Sequence, residues 1–215
     1  YNAVIWAVEQ GITGGTSATT FSPDMICSRG QVVTFLHRMV ASPEPAAITN
    51  PFTDVKTSAY YYKPVMWAYG SKITGGTSAN KFSPDNNCTR AQVVTFLHRM
   101  IASPEPAAID MPFVDVKTSD YFYKPVKWAF GSKITGGTSD TTFSPDENCS
   151  RAQVVTFLWR TAGQPKPNGK SNPFTDVKAD SYYYDAVLWA VENSITGGTS
   201  VDTFLSLIHI SEPTR

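Results

Sequence analysis

The sequence predicts a mainly α fold built from tandem helix–glycine-loop–helix units. Three observations carry that expectation. One unit recurs every 61 residues with no change of spacing. Each of the first three copies holds a helix-start signal followed by a wide apolar stripe at helical spacing. Each also holds a paired-glycine loop that no regular element would tolerate. Self-similarity at a period of this size marks a repeat architecture.

The register is exact in the tryptophans Trp6, Trp67, Trp128 and Trp189, and in the cysteines Cys27, Cys88 and Cys149. The loop Ile-Thr-Gly-Gly-Thr-Ser begins at Ile12, Ile73, Ile134 and Ile195. The run Val-Val-Thr-Phe-Leu begins at Val32, Val93 and Val154. Four copies follow: 1–48, which starts in mid-unit; 49–109; 110–170; and 171–204, the first half only. Residues 205–215 break the pattern, with Leu205-Ser206-Leu207 where Ser-Pro-Asp is expected. That tail reads as translated sequencing-adapter sequence and is set aside from fold reasoning, His209 with it. On this reading the chain is a cut piece of a longer protein.

The second copy illustrates each element in order. Pro51-Phe52-Thr53-Asp54-Val55 is an extended opening segment. Ser58 to Tyr62 leads into a first helix, with Pro64 in its first turn, where a missing N–H is no loss. Val65, Trp67 and Ala68 form its apolar stripe, and it ends near Gly70-Ser71-Lys72. The loop Ile73 to Ser78 follows, because paired glycines permit positive φ and close backbone approach. Phe82 is expected to pin that loop to the core, and Ser83-Pro84-Asp85 to form a turn. Thr89-Arg90-Ala91-Gln92 is a capping box, and Cys88 with Val93 a hydrophobic staple. Ser28-Arg29-Gly30-Gln31 and Ser150-Arg151-Ala152-Gln153 are its counterparts. Val93, Val94, Phe96, Leu97, Met100 and Ile101 then give a stripe facing a core. Ser103-Pro104-Glu105-Pro106 ends the second helix. The linker from Gly163 to Pro173 is more polar and expected to be looser.

Composition excludes several functions. Eighteen Lys and Arg balance eighteen Asp and Glu, so the formal net charge is zero. Nucleic-acid binding needs a basic face, and none is implied. No apolar run approaches the ~20 residues of a membrane span. A lone unit of this size buries little surface, so stacked copies must share a core. The three cysteines stand at equivalent positions and read as packed thiols rather than a disulfide framework. They lack the local pairing of a zinc site. Asp140, Asp146 and Asn148 do not make a calcium loop, since the EF-hand pattern is absent. His37 and His98 recur on the second helix, but Trp159 takes their place in the third copy, which argues against catalysis. No cofactor and no metal are expected, and the chain reads as a non-enzymatic binding module.

In order, Phe-x-Asp-Val, Tyr-Tyr, Trp-Ala, Ile-Thr-Gly-Gly, Phe-Ser-Pro-Asp and Thr-Arg-Ala-Gln resemble the S-layer homology (SLH) domain. The likeness covers Tyr1 to Phe204. The family packs three copies around a pseudo-threefold axis, and it anchors exported bacterial proteins to secondary cell-wall polysaccharide, often through pyruvylated sugars. The resemblance implies that fold, that extracellular, cell-surface role and that partner here. Gln31, Gln92 and Gln153 depart from the family's usual glutamate, cysteine replaces an aliphatic residue before the cap, and Gly30 replaces alanine.

A pyruvyl ketal presents a carboxylate, which a guanidinium fork holds well. Arg29, Arg90 and Arg151 in the first turn of the second helix are the candidate grips, helped by free N–H groups at the helix start. The competing reading is a salt bridge to a carboxylate such as Asp54 or Asp115. Trp67, Trp128 and Trp189 offer flat faces to sugars, although tryptophan at helical spacing is more often core. Asp54, Asp115 and Asp176 accept ligand hydroxyls or, by their usual habit, local backbone amides. Gly75, Gly76, Gly136 and Gly137 offer backbone contact to a ligand, with turn formation the plainer role. The tyrosine clusters at 60–62 and 182–184 cannot all be buried, and some are expected to line a groove. A second class of function, a structural or protein-interaction array without glycan binding, stays open at this point.

Overall fold

The structure, a computed structural model, describes residues 6–8, 10–17, 19–165, 175, 176, 178 and 180–182. Trp189 and the tail at 205–215 lie outside the described residues. Residues 6–8 are helical. Five further helices follow: α1 (Arg29–Met39), α2 (Tyr62–Gly70), α3 (Arg90–Met100), α4 (Tyr123–Gly131) and α5 (Arg151–Thr161). No sheet is present among the described residues, only isolated bridges, three of them between copies and one, Ser78 to Lys81, within the second copy.

Helices α1, α3 and α5 start as the capping box requires. The Ser28, Thr89 and Ser150 hydroxyls accept the backbone N–H of Gln31, Gln92 and Gln153, and each glutamine side chain returns to the cap N–H. The apolar stripe buries Val93, Val94, Phe96 and Leu97. Ile101 departs from the expected stripe. It follows the last helical residue and is 39% exposed.

Helices α2 and α4 end in a paired-bond cap. Ile73 donates to Ala68 O at 2.8 Å and Lys72 to Tyr69 O at 3.0 Å, the Schellman arrangement. Lys72 and Lys133 sit there at φ 59° and 58°, where the first copy has Gly11 at φ 67°. Gly70 and Gly131 instead make room for the linker, since a Cβ would meet Ile48 Cδ1 at 3.2 Å and Ile109 Cδ1 at 2.9 Å. Glycine relieves left-handed strain that a side chain cannot. Lys72→Gly is therefore expected to raise stability by about 0.5–1 kcal/mol. A urea midpoint equal to the parent's would contradict this.

The three copies close into a ring. Cys27 N–H donates to Cys149 O at 3.0 Å, Cys149 to Cys88 O at 2.9 Å, and Cys88 to Cys27 O at 2.9 Å. Helices α1, α3 and α5 touch one another in pairs around this axis. On the outside, α2 packs on α1 and α4 on α3. The largest fully buried rings are Phe21, Phe82 and Phe143, at one position in each copy. The three thiols are buried and unpaired.

Each copy also caps its neighbour. The N–H groups of Arg90 and Ala91 donate to Glu147 O and Pro145 O at 2.9 and 3.0 Å. Arg29 and Gly30 donate likewise to Asn86 O and Pro84 O, and Arg151 and Ala152 to Met25 O and Pro23 O. A helix end leaves such groups orphaned, and here the next copy's Ser-Pro-Asp turn receives them.

Candidate functional site

Arg29, Arg90 and Arg151 are each 3% exposed. Each is held against the next copy. The Nε of each donates to the carbonyl of the next copy's phenylalanine: Arg29 to Phe82 O at 3.0 Å, Arg90 to Phe143 O at 2.9 Å, Arg151 to Phe21 O at 2.7 Å. The guanidinium carbon stands 4.7–4.9 Å from that phenylalanine's ring centre. A second ring, Phe96, Phe157 or Phe35, lies at 5.4–5.5 Å. Cation–π contact of this kind strengthens when desolvated. Burial lowers the pKa of all three below the ordinary arginine value.

The salt-bridge alternative fails. Among the described residues the ion pairs are Lys63–Glu44 and Lys124–Glu105, both exposed. Asp54 and Asp115 are engaged elsewhere. Asp54 accepts the N–H of Phe82 at 3.0 Å and Ser83 at 2.8 Å, and Asp115 those of Phe143 and Ser144. Burial pushes the Asp54 carboxyl up, but its backbone hydrogen bonds outweigh this and hold it below the usual range. The held serines Ser83 and Ser144 sit at φ 57° and 56°, so the aspartate secures a strained turn. The free helix amides expected at the arginines are also absent, because the neighbouring turn has taken them.

What remains exposed is a groove between copies. Near Arg29 a groove of about 320 Å³ is lined by Thr74, Gly75, Gly76 and Thr77, by Gln92, Thr95, Phe96 and Arg99 of α3, and by Tyr121. Near Arg90 its counterpart of about 560 Å³ is lined by Thr135 to Asp140, by Gln153, Thr156, Phe157 and Arg160 of α5, and by Tyr182. Three copies contribute to each. In the second groove Arg90 Nη2 is buried with no hydrogen-bond partner among the described residues. The equivalent atom of Arg151 is satisfied by Thr13 Oγ1 at 2.9 Å.

The two glycines of each loop divide their labour. At Gly76 (φ 86°) a Cβ would meet Lys81 O at 2.5 Å and Phe52 at 2.6 Å, and at Gly137 (φ 88°) Thr142 O and Phe113 at the same distances. Those two serve the turn. Gly75 and Gly136 are different: a Cβ there would meet nothing within 4 Å. No packing demand explains them, and both line a groove.

Trp67 and Trp128 lie outside the grooves. They are 9% and 7% exposed, and their rings meet those of His37 and His98 at a tilt, with centres 5.3 Å apart. Those histidines hydrogen-bond through Nε2 to Pro43 O and Pro104 O, and Trp159 Nε1 donates in the same way to Pro165 O. An N–H donor is what the position requires, so tryptophan can replace histidine there.

Sequence reasoning missed the arginines Arg99 and Arg160 and the rim tyrosine Tyr121, whereas Tyr182 falls in a cluster expected to line a groove. Arg99 and Arg160 line the grooves while bonding to Ile73 O and Ile134 O at 3.2 and 3.0 Å. Tyr121 and Tyr182 stand at the rims, 61% and 65% exposed, and Tyr60 is 50% exposed. Both sets recur at the repeat period among polar neighbours, and that was the available signal. No helix among the described residues is long and apolar enough to cross a membrane.

The S-layer homology domain model matches residues 1–33, 51–94, 112–155 and 173–205. A cell surface protein of Thermoanaerobacter kivui is 32% identical over 121 residues, covering 54% of this chain and 16% of that protein. An endoglucanase of a Bacillus species is 34% identical over 51% of this chain, but over 11% of its own length. A cellulosome-anchoring protein of Acetivibrio thermocellus is 28% identical over 60% of this chain and 30% of its own. The chain thus spans less than a third of each of these relatives. It belongs to the S-layer homology domain family and is a cell-surface module.

Proposed function

We propose that the ring holds a longer exported bacterial protein on the cell wall by binding an anionic wall glycan, pyruvylated secondary cell-wall polysaccharide, in the grooves between copies. The observation that carries this is the buried, unpartnered Nη2 of Arg90 beside the open Gly136. A buried charged donor without an acceptor costs free energy, and a ligand carboxylate would supply the acceptor. Threonine and serine hydroxyls of the loop suit sugar hydroxyls, and the exposed rim tyrosines suit sugar faces. A pocket of about 270 Å³ shares Thr95, Arg99 and Tyr121 with the groove at Arg29 and extends it toward Glu105 and Lys124, giving room for a further sugar. Repetition of such grooves on one body adds avidity on a repetitive polymer. The named roles of two relatives, surface protein and cellulosome anchor, agree with this reading.

The test is co-sedimentation with purified wall polysaccharide, before and after chemical removal of its pyruvyl groups. Pelleting should be lost on removal. Gly136→Leu should fold as the parent does and weaken binding by about tenfold, which is ~1.4 kcal/mol. Equal pelleting of depyruvylated polymer would remove the pyruvyl carboxylate from this reading, and retention on protein partners alone would favour a protein-interaction array instead.

A further inference from the structure

The grooves at Arg29 and Arg90 share a plan but not a charge. Each is lined by two arginines, Arg29 with Arg99 in one and Arg90 with Arg160 in the other. Among the described residues, only the groove at Arg90 is also lined by a carboxylate, that of Asp140. The difference lies in the loops. Ser78-Ala79-Asn80-Lys81 of the second copy stands where the third has Ser139-Asp140-Thr141-Thr142, so one stretch is singly positive and the other singly negative. The turn around Asp140 does not depend on it. Ser139 holds that turn: its hydroxyl accepts the Thr141 N–H at 3.3 Å and bonds to Thr142 Oγ1 at 2.6 Å. Asp140 is exposed. The ion pairs among the described residues are Lys63–Glu44 and Lys124–Glu105, so Asp140 pairs with neither arginine of its groove. Asp54 and Asp115, by contrast, are engaged by backbone amides. One groove thus presents a buried guanidinium whose Nη2 lacks an acceptor and, separately, an unpaired carboxylate.

We propose that the groove at Arg90 selects a zwitterionic stretch of wall glycan: Arg90 takes the carboxylate of a pyruvylated sugar, and Asp140 the ammonium of a neighbouring hexosamine whose amine is free rather than acetylated. The groove at Arg29 lacks the second contact and does not distinguish the two. This rests on the glycan reading above and adds to it a difference between grooves. The carboxylate both attracts and excludes. An ammonium would make a charge-assisted hydrogen bond with it, which an acetamide would not. A second anionic substituent at that sugar would face a like charge and be disfavoured. An exposed ion pair is worth little by itself, so Asp140 acts on the choice of ligand more than on total affinity.

Binding of the full chain to two forms of one polymer tests the assignment. Purified wall polysaccharide is partly N-deacetylated, and a portion is re-acetylated with acetic anhydride, so that the two probes differ in free amines alone. The parent should bind the amine form about three- to fivefold more tightly. Asp140→Asn, which keeps the shape of the side chain and the Ser139 bonds, should bind the two forms alike. Asp110→Asn removes the same charge from the exposed linker, outside the groove, and should keep the parent's preference. The same polymer without its pyruvyl groups is the third probe. Suppose that pyruvyl removal abolishes binding, but the parent shows no preference for the amine form, or Asp140→Asn keeps that preference, or Asp110→Asn loses it as well. Any of these would overturn the role of Asp140 and leave the glycan reading standing. Failure of the parent to bind either pyruvylated form, or equal binding of the depyruvylated polymer, would overturn the glycan reading and this assignment with it.

Discussion

Gly76→Ala is expected to cost about 3–5 kcal/mol, and Gly75→Ala, one residue earlier, less than about 0.5 kcal/mol. The same contrast should appear between Gly137→Ala and Gly136→Ala. Two penalties add at Gly76. A side chain at φ 86° carries left-handed strain of about 1–2 kcal/mol. Its Cβ would also press on Lys81 O at 2.5 Å and on the Phe52 ring at 2.6 Å. The carbonyl cannot retreat freely, because Lys81 O accepts Thr77 N–H at 2.8 Å. Phe52 is wedged between Tyr69 and Phe82, with ring centres 5.2 and 5.8 Å away. Urea denaturation of the four alanine variants measures the contrast directly. Equal losses at the two positions of a pair would show that the loop is not built as described, and would remove the case for Gly75 and Gly136 as ligand-facing positions.

Stability is expected to fall steeply in alkali, from about pH 9 upward. Burial pushes the thiols of Cys27 and Cys88 from 9.0 up to about 12, against a smaller lowering by Arg151 and Arg29 respectively. Burial raises Cys149 in the same direction. A thiol whose pKa is higher folded than unfolded keeps its proton in the ring and loses it on unfolding. Its contribution is thus complete below pH 9 and is lost progressively as pH climbs toward 12. Each such proton is worth up to about 1.4 kcal/mol per pH unit, so three thiols give a limiting slope of roughly 4 kcal/mol per unit. Tyr60, Tyr61 and Tyr121, raised first by burial, act in the same direction above their ordinary value of 10.0. Comparison with Cys88→Ala isolates the thiol part. Urea midpoints between pH 8 and 11 should fall less steeply in that variant by about one proton's worth. Identical slopes would mean that Cys88 does not stay protonated on folding.

Local structure was legible wherever it depended on neighbours in sequence. The capping boxes at Ser28, Thr89 and Ser150 need only residues three apart, and they stand as expected. The stripe from Val93 to Leu97 follows from helical periodicity, and it failed only at Ile101, where the helix had already ended. The family pattern also foretold a threefold bundle. The site was less legible, because its geometry is set between copies. Arg90 could be recognised as a repeated guanidinium, but its Nε partner, Phe143 O, lies 53 residues away. The helix amides looked free because the carbonyls that take them belong to the next copy's turn. Asp54 was read toward the local-backbone role it takes, though its amide partners lie 28 and 29 residues downstream rather than beside it. Nothing in the order of residues marked Asp176 as the acceptor of the Phe21 N–H, 155 residues away.

The ring of cysteine backbone bonds has a kinetic corollary. A linear stack can mature unit by unit, since each unit touches only its neighbours. Here the bond from Cys27 to Cys149 and the reach of Arg151 to Phe21 O, 130 residues apart, join the first copy to the third. Such junctions form only after a long intervening chain has been drawn together, and contacts of wide sequence separation slow folding. During synthesis the first two copies therefore wait with an open flank, and the structure sets only when the third arrives.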